Sequence, residues 1–303
     1  MVSEKVAGEK PESSLRDAVL NLEKPDLQFF PEGGNLVNGF INRMGFKLVA
    51  PNGLGSDVNG KVVDKSGQLI TEFTSSHLGM GMLSFIPQNG EKYQAEIQYN
   101  GNTFTYPLPN ALVVGTMMHV FDRGTHYQVE IKTSAPHGVN GLQLTAFQGG
   151  KEVSKSKIEG KDQYAVVTLP KELVKDGIVQ FTLFDNTGQP ICERLFFHHS
   201  DREQLTMEPS KKKYGKRELV DLEVRVDEDA ANFTANMSLS VSEVALAMPE
   251  MGDIDIKTYL LLTSELKGKI ENPAYYFNSN DPSRRKNLDL LMMTQGWRSF
   301  IDH

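Results

Sequence analysis

Cysteine is almost missing from this chain. Cys192 stands alone among 303 residues, so no internal disulfide framework holds the fold, and no Cys-x-x-Cys pair offers a metal or redox site. Long apolar runs are missing too. No stretch of about 18 apolar residues exists, which excludes a membrane-spanning helix. The first residues, MVSEKVAGEKPESS, lack the apolar centre of a signal peptide. Positive charge is in deficit. The 32 Lys and Arg residues stand against 39 Asp and Glu, a net charge of −7, so the basic field that general nucleic-acid binding requires is absent. There is no Gly-x-Ser-x-Gly elbow and no His-x-x-x-His spacing, which removes the commonest hydrolase and zinc signatures.

What is present is a phrase that recurs at intervals of about 90 residues: a short apolar strand, a glycine-containing turn and a longer alternating strand. It runs first through Leu27-Gln28-Phe29-Phe30, then Pro31-Glu32-Gly33-Gly34, then Phe46, Leu48 and Val49. The second copy runs from Met117 to Phe121, turns at Arg123-Gly124, and continues through Tyr127, Val129 and Ile131. The third runs through Leu205-Thr206-Met207, a basic turn ending near Gly215, then Leu219, Leu222, Val224 and Val226. That period is the size of one β-sandwich. The expected architecture is all-β: tandem immunoglobulin-like β-sandwiches with a short helical appendage. Residues 1–25 read as a linker with a short helix capped at Ser13 or Ser14, 26–107 as the first sandwich and 108–202 as the second. Residues 203–303 read as a third sandwich, its best strand at 236–244, followed by a loop and helices. Helical spacing marks Tyr259 to Leu266 and Leu288 to Phe300. Asn272 to Phe277 reads as an apolar loop between them.

The search for chemistry yields little. His198 and His199 are adjacent, so on a strand they point to opposite faces and cannot share an ion. Glu250, Asp253 and Asp255 lack a full calcium-loop pattern and read as a solvated loop. Ser-x-x-Lys recurs, at Ser210, Ser264 and Ser283 among others, without companion motifs. Cys192 lies in a strand-like run and is expected to be buried and structural. Gly53, Gly55, Gly79 and Gly81 read as tight turns or close backbone approaches. Lys211 to Arg217 is the one dense basic cluster, read as a solvated hairpin loop, with an anionic surface as the other reading. No catalytic, cofactor or metal residue emerges. The candidate interaction residues are Tyr275, Tyr276, Phe277, Trp297 and Phe300, which concentrate aromatic surface near the C-terminus. They fit either a core for the helical appendage or an interface for a following domain.

These phrases together resemble the macroglobulin-like domains of large Bacteroidota cell-envelope proteins. The resemblance is carried by Phe29 to Val37, His77 to Gly81, Ala235 to Ser242, Tyr259 to Gly268, Ile270 to Phe277 and Leu290 to Arg298, and so spans residues 29 to 298. It implies a segment of a longer exported chain, of the type that carries domains similar to the plug of TonB-dependent outer-membrane receptors, in the periplasm or at the outer membrane. It implies no catalytic residues and no cofactor. The thioester of true macroglobulins needs a Cys with a Gln three positions on; here Leu195 holds that place after Cys192. The expected function is a non-enzymatic scaffold or interaction segment whose partners are other domains of its parent chain or an envelope protein. The alternatives are a carbohydrate- or peptide-binding module supporting nutrient uptake and, more remotely, an enzyme accessory module. The final helix is expected to pack one face on the third sandwich and to leave the rest, with the Asn272 to Phe277 loop, as an exposed docking surface.

Overall fold

The computed structural model describes residues 24–160, 162–200, 205–226, 239, 241, 254–278 and 280–300. The chain divides into two compact units, Met1–His198 with Met251–His303, and His199–Glu250. The first contains two β-sandwiches and the C-terminal segment. The linker helix expected within residues 1–25 and the strand expected at 236–244 lie outside the described residues, except for Leu239 and Val241.

The two sandwiches repeat one plan. The first has strands β1 (Asp26–Pro31), β3 (Asn42–Val49), β4 (Asn59–Asp64), β5 (Leu69–Thr74), β6 (Met80–Phe85), β7 (Tyr93–Tyr99) and β8 (Asn102–Pro107), arranged as sheets β1-β3-β6 and β5-β4-β7-β8. The second has β10 (Thr116–Asp122), β11 (His126–Thr133), β12 (Gln143–Gln148), β13 (Lys151–Lys157), β14 (Tyr164–Pro170), β15 (Gly177–Phe184) and β16 (Pro190–His198), arranged as β10-β11-β14 and β13-β12-β15-β16. The recurring phrase is therefore the opening hairpin of each sandwich, β1 on β3 and then β10 on β11. A short parallel pair, β2 (Leu36–Val37) with β9 (Ala111–Leu112), ties the first sandwich to the linker into the second.

Local chemistry explains the elements. Along β7, Tyr93, Ala95 and Ile97 are buried while Gln94 and Gln98 face out, the alternation of a half-buried strand. Asn100 and Gly101 both take positive φ, 49° and 78°, as the two-residue turn into β8 requires. Asp64 opens the turn from β4 to β5 by accepting from the backbone N–H groups of Ser66 and Gln68. Asp185 repeats the device before β16 with Thr187 and Gln189. Gly79 has φ 74°, whereas Gly55 and Gly81 are close approaches: a Cβ would meet Leu78 O at 2.1 Å in one and the Phe46 ring at 2.3 Å in the other. One core gathers Met44, Phe46, Leu48, Val62 and Ile97; the other gathers Met118, Val129, Ile131, Phe181 and Leu183. Cys192 is fully buried in the second core, where burial pushes its thiol up to about 12, and its Sγ–H donates to Thr116 O.

The C-terminal segment differs from the sequence reading. Asp255 is the N-cap of a single α-turn, Ile256–Thr258, accepting from Thr258 N–H, and the chain continues as a π-helical turn, Tyr259–Thr263. Tyr275–Asn278, expected in a loop, is a helical turn. The last helix runs Arg284–Thr294 and not to Phe300. Just beyond its end Gly296 presses on β16: a Cβ there would meet the Leu195 side chain and Met292 O, each at 2.7 Å. Asp289, in the middle of this helix, pairs with Arg194. The helix packs against β16, β6 and β3 of the first two sandwiches. It buries Leu288, Leu290, Leu291, Met292 and Met293. A third apolar cluster results, joining Met80 of β6 and Ile178, Leu195 and Phe197 of the second sandwich to Leu262, Leu266, Tyr276, Phe277 and the helix. The segment is thus a wedge between the sandwiches.

In the second unit, β17 (Leu205–Pro209) pairs antiparallel with β18 (Leu222–Val226), the same opening hairpin a third time. Lys211 to Arg217 form its turn, where Lys211 pairs with Glu218.

Candidate functional site

Pro31-Glu32-Gly33-Gly34, the turn of the first recurring phrase, is the point at which both sandwiches and the wedge converge. The Glu32 side chain is completely buried. Its Oε1 accepts from Arg194 Nε at 3.1 Å and from Val120 N–H at 3.3 Å, and its Oε2 lies 3.1 Å from Arg43 Nη1. Arg194, also buried, donates to its neighbour Leu195 O and to Asp289 Oδ1 at 2.6 Å on the last helix. Burial opposes the Arg194 charge, but Asp289 and Glu32 outweigh it, so the guanidinium is held protonated. One side chain on β16 thereby binds a turn 162 residues earlier and a helix 95 residues later.

The backbone completes the joint. Gly33 O accepts from Glu193 N–H at 3.3 Å. Gly33 and Gly34 have φ of 83° and 107°; a Cβ on Gly33 would sit 3.0 Å from Met118 O, and one on Gly34 would sit 2.8 Å from Arg298 O. Trp297 Nε1 donates to Pro31 O at 2.8 Å, with its ring edge-on to Phe30. Glu193 is buried, which pushes its carboxyl up, while Arg298 at 3.2 Å and the donors Gln180 and Thr182 work against that shift. His119, on the outer side of β10, is buried between the sandwiches. Desolvation, with Arg43, Lys132 and Arg194 nearby, lowers it to about 4, so it is neutral.

The five aromatic candidates separate. Tyr276 and Phe277 are buried in the wedge core. Tyr275 is half-buried, stacked on His77 at 4.3 Å, with its hydroxyl donating to Asp281 and accepting from Asn287. Trp297 is half-buried at the joint, and Phe300 is 39% exposed. The structure brings Tyr275, Tyr276 and Phe277 into one cluster and places Trp297 on the Pro31 turn. The ionic triad Glu32, Arg194 and Asp289 was missed in the sequence. Its signal was available: Glu193-Arg194 interrupts an otherwise apolar run from Ile191 to Phe197.

A groove of about 340 Å³ flanks the joint, lined by Gln28, Phe30, Lys47, Lys269, Glu271 and Gln295 among others. Its polar groups are largely engaged. Glu271 accepts from Gly55 N–H at 3.0 Å and lies 3.4 Å from Lys47, and Gln295 donates to the carbonyls of Lys267 and Lys269. Phe30 and Trp297 meet at 65°, not as coplanar platforms for a sugar. Among the described residues no group of His, Cys, Asp and Glu gathers to hold a metal, and no helix is long and apolar enough to cross a membrane.

No protein-family profile matches the chain, and no curated protein does. Solved structures that align with it include the BSP domain of a biofilm-associated protein, at 13% identity and a TM-score of 0.25 over 54% of this chain and 28% of that one. Salmonella alpha-2-macroglobulin reacted with methylamine aligns at 12% identity and a TM-score of 0.25, over 67% of this chain and 18% of the other. The human OSCAR ligand-binding domain aligns at 9% identity and a TM-score of 0.22, over 57% and 97%. The chain spans less than a third of the length of the first two. The sandwich assignment stands on the repeated strand order itself.

Proposed function

We propose that this chain is a non-catalytic, stiff interaction segment of an exported cell-envelope protein, in which the first two sandwiches and the C-terminal wedge act as one rigid arm. The observation that carries the reading is the buried bridge from Glu32 through Arg194 to Asp289. A flexible string of domains has no use for a charge network sealed between its parts, because breaking such a network leaves uncompensated charge in the interior. Apolar packing of the wedge on β16, β6 and β3 supports the same view. The envelope setting, and with it an association with outer-membrane transport, rests on the sequence resemblance across residues 29 to 298. Neither the engaged groove nor the crossed aromatic pair favours a carbohydrate site.

The test is a distance distribution between spin labels on exposed positions of the two sandwiches, such as Thr103 and Lys155, in the full chain. A single narrow distribution that persists at high salt is expected. A broad or multimodal one in the unmodified chain would refute the rigid arm.

A further inference from the structure

Every open sheet leaves an edge strand on either side, and soluble proteins guard such edges with charge, proline, bulges or covering structure. The edges of the two sandwiches are guarded unevenly; β6, uncharged and free of proline, is covered by the end of β5 and by the last helix. β1 starts at Asp26, ends at Pro31 and is touched by Trp297. β5 carries Glu72 and a register shift at Val62/Val63, and its end lies against β6, where a Cβ on Gly81 would meet Thr74 O at 2.8 Å. On β8 the outward positions are Thr103, Thr105 and Pro107, while Tyr106 is held to Pro25 O. β10 and β16 lie side by side and cover one another. β13 bears Lys151, Lys155 and Lys157 and a bulge opposite Ala146/Phe147.

β14 is the least guarded: apart from its last residue, Pro170, it has none of these devices. From Tyr164 to Leu169 it carries no charge and no proline, and its register against β11 is unbroken. Its outward side chains Tyr164 and Val166 are each 45% exposed. The flanking bonds Thr133 N–H to Gln163 O and Lys171 N–H to Thr125 O fix which backbone groups face β11. By alternation these are the groups of Ala165, Val167 and Leu169. The N–H and C=O groups of Tyr164, Val166 and Thr168 therefore point away from the sheet.

We infer that β14 is the site at which a second copy of this chain adds, antiparallel, edge to edge, so that the two three-stranded sheets become one continuous sheet across a two-fold axis. The strand is its own complement. With the axis near Val167, Val166 faces Thr168 of the other copy, and their outward N–H and C=O groups exchange bonds. Pro170, which lacks an N–H, offers its carbonyl to the Tyr164 N–H of the other copy. Because the strand is uncharged, no like charges are set opposite one another, which the lysines of β13 would forbid on that edge. This inference rests on reading the chain as an interaction segment. It names the partner.

The experiment is sedimentation velocity of the full chain from low micromolar to near-millimolar concentration, with two variants. Thr168→Pro removes an outward N–H without touching a bond to β11. Val166→Lys sets like charges across the axis on an exposed position. The unmodified chain is expected to dimerise, and each variant to raise the dissociation constant roughly tenfold or more while its melting temperature at monomeric concentrations stays within a few degrees. A chain that remains monomeric throughout overturns the inference. So does a dimer that both folded variants leave intact, since it would use another surface, and so does capture of a foreign strand at β14 without self-association. With labelled chain diluted into a large excess of unlabelled chain, only distances within one copy are read, so the rigid-arm reading is judged separately.

Discussion

Arg194 sits where burial alone would expel a charge, and it stays because two carboxylates reach it from different parts of the chain. Arg194→Met keeps most of the stem but strands Glu32 beside Arg43 and leaves Asp289 without its partner. Breaking a buried pair in this way costs about 3–5 kcal/mol, so a marked drop in the urea midpoint is expected. Adding Glu32→Gln should recover part of it, a non-additivity that a double-mutant cycle reads directly. If Arg194→Met alone leaves the midpoint unchanged, the network is decorative. His119 gives this joint a pH dependence. Its folded value of about 4 lies below the ordinary 6.5, so its contribution is complete above pH 6.5 and is lost as the pH falls through that window toward 4. The full loss is roughly 3 kcal/mol. His77, lowered by burial, acts in the same direction. Glu193, raised by burial, acts in the opposite one, because its folded form prefers the proton. Unfolding midpoints at pH 7 and pH 4.5 should therefore converge in His119→Gln relative to the unmodified chain; an unchanged difference would remove His119 from the account.

Among the elements, the strands were legible because alternation and turn chemistry are local. Tyr93, Ala95 and Ile97 declare an inward face, and Asn100-Gly101 declares a hairpin, whatever the rest of the chain does. The last helix was legible as a helix but its destination was not. An apolar stripe says that Leu288, Leu291 and Met292 must be covered; it does not say by which sandwich. That information is spread over Gly45, where a Cβ would sit 3.0 Å from the Met293 side chain, over Met80, and over the outward residues Leu195 and Phe197 of β16. For the same reason the candidate site was half visible. Its phrases, Phe29 to Gly34 and Leu290 to Arg298, were both singled out, but their meeting in space depends on the intervening fold. Gly34 tests that meeting. Its φ of 107° and the approach of Arg298 O at 2.8 Å both resist a side chain, whereas Gly67, at φ 84°, has open space around it. Gly67→Ala should cost about 1 kcal/mol of backbone strain, and Gly34→Ala about 2–3 kcal/mol or more, because the close contact adds to the strain. Equal shifts in melting temperature for the two variants would mean that the Gly34–Arg298 approach contributes nothing.

At the scale of the whole molecule, the chain leaves the second sandwich after His198, builds a separate unit over His199–Glu250, and returns from Met251 to fill the space between the first two sandwiches. A row of independent sandwiches would be cut with equal ease at each junction. This arrangement predicts otherwise. The link between the first two sandwiches is protected by the β2–β9 pair and by buried Leu108. Lys211, Lys212, Lys213 and Lys216, in contrast, stand exposed in the turn between β17 and β18. Brief trypsin treatment should cleave that turn first, giving two bands on a denaturing gel. The C-terminal fragment should nonetheless remain with the sandwiches on a native sizing column, because the wedge is held by the third apolar cluster, by Arg194 on Asp289 and by Trp297 on Pro31, none of which needs the covalent link. Denaturant should then separate the fragments in the same transition that melts the sandwiches. If the C-terminal fragment elutes alone directly after nicking, the wedge is a loosely attached tail, and the rigid arm loses its central support.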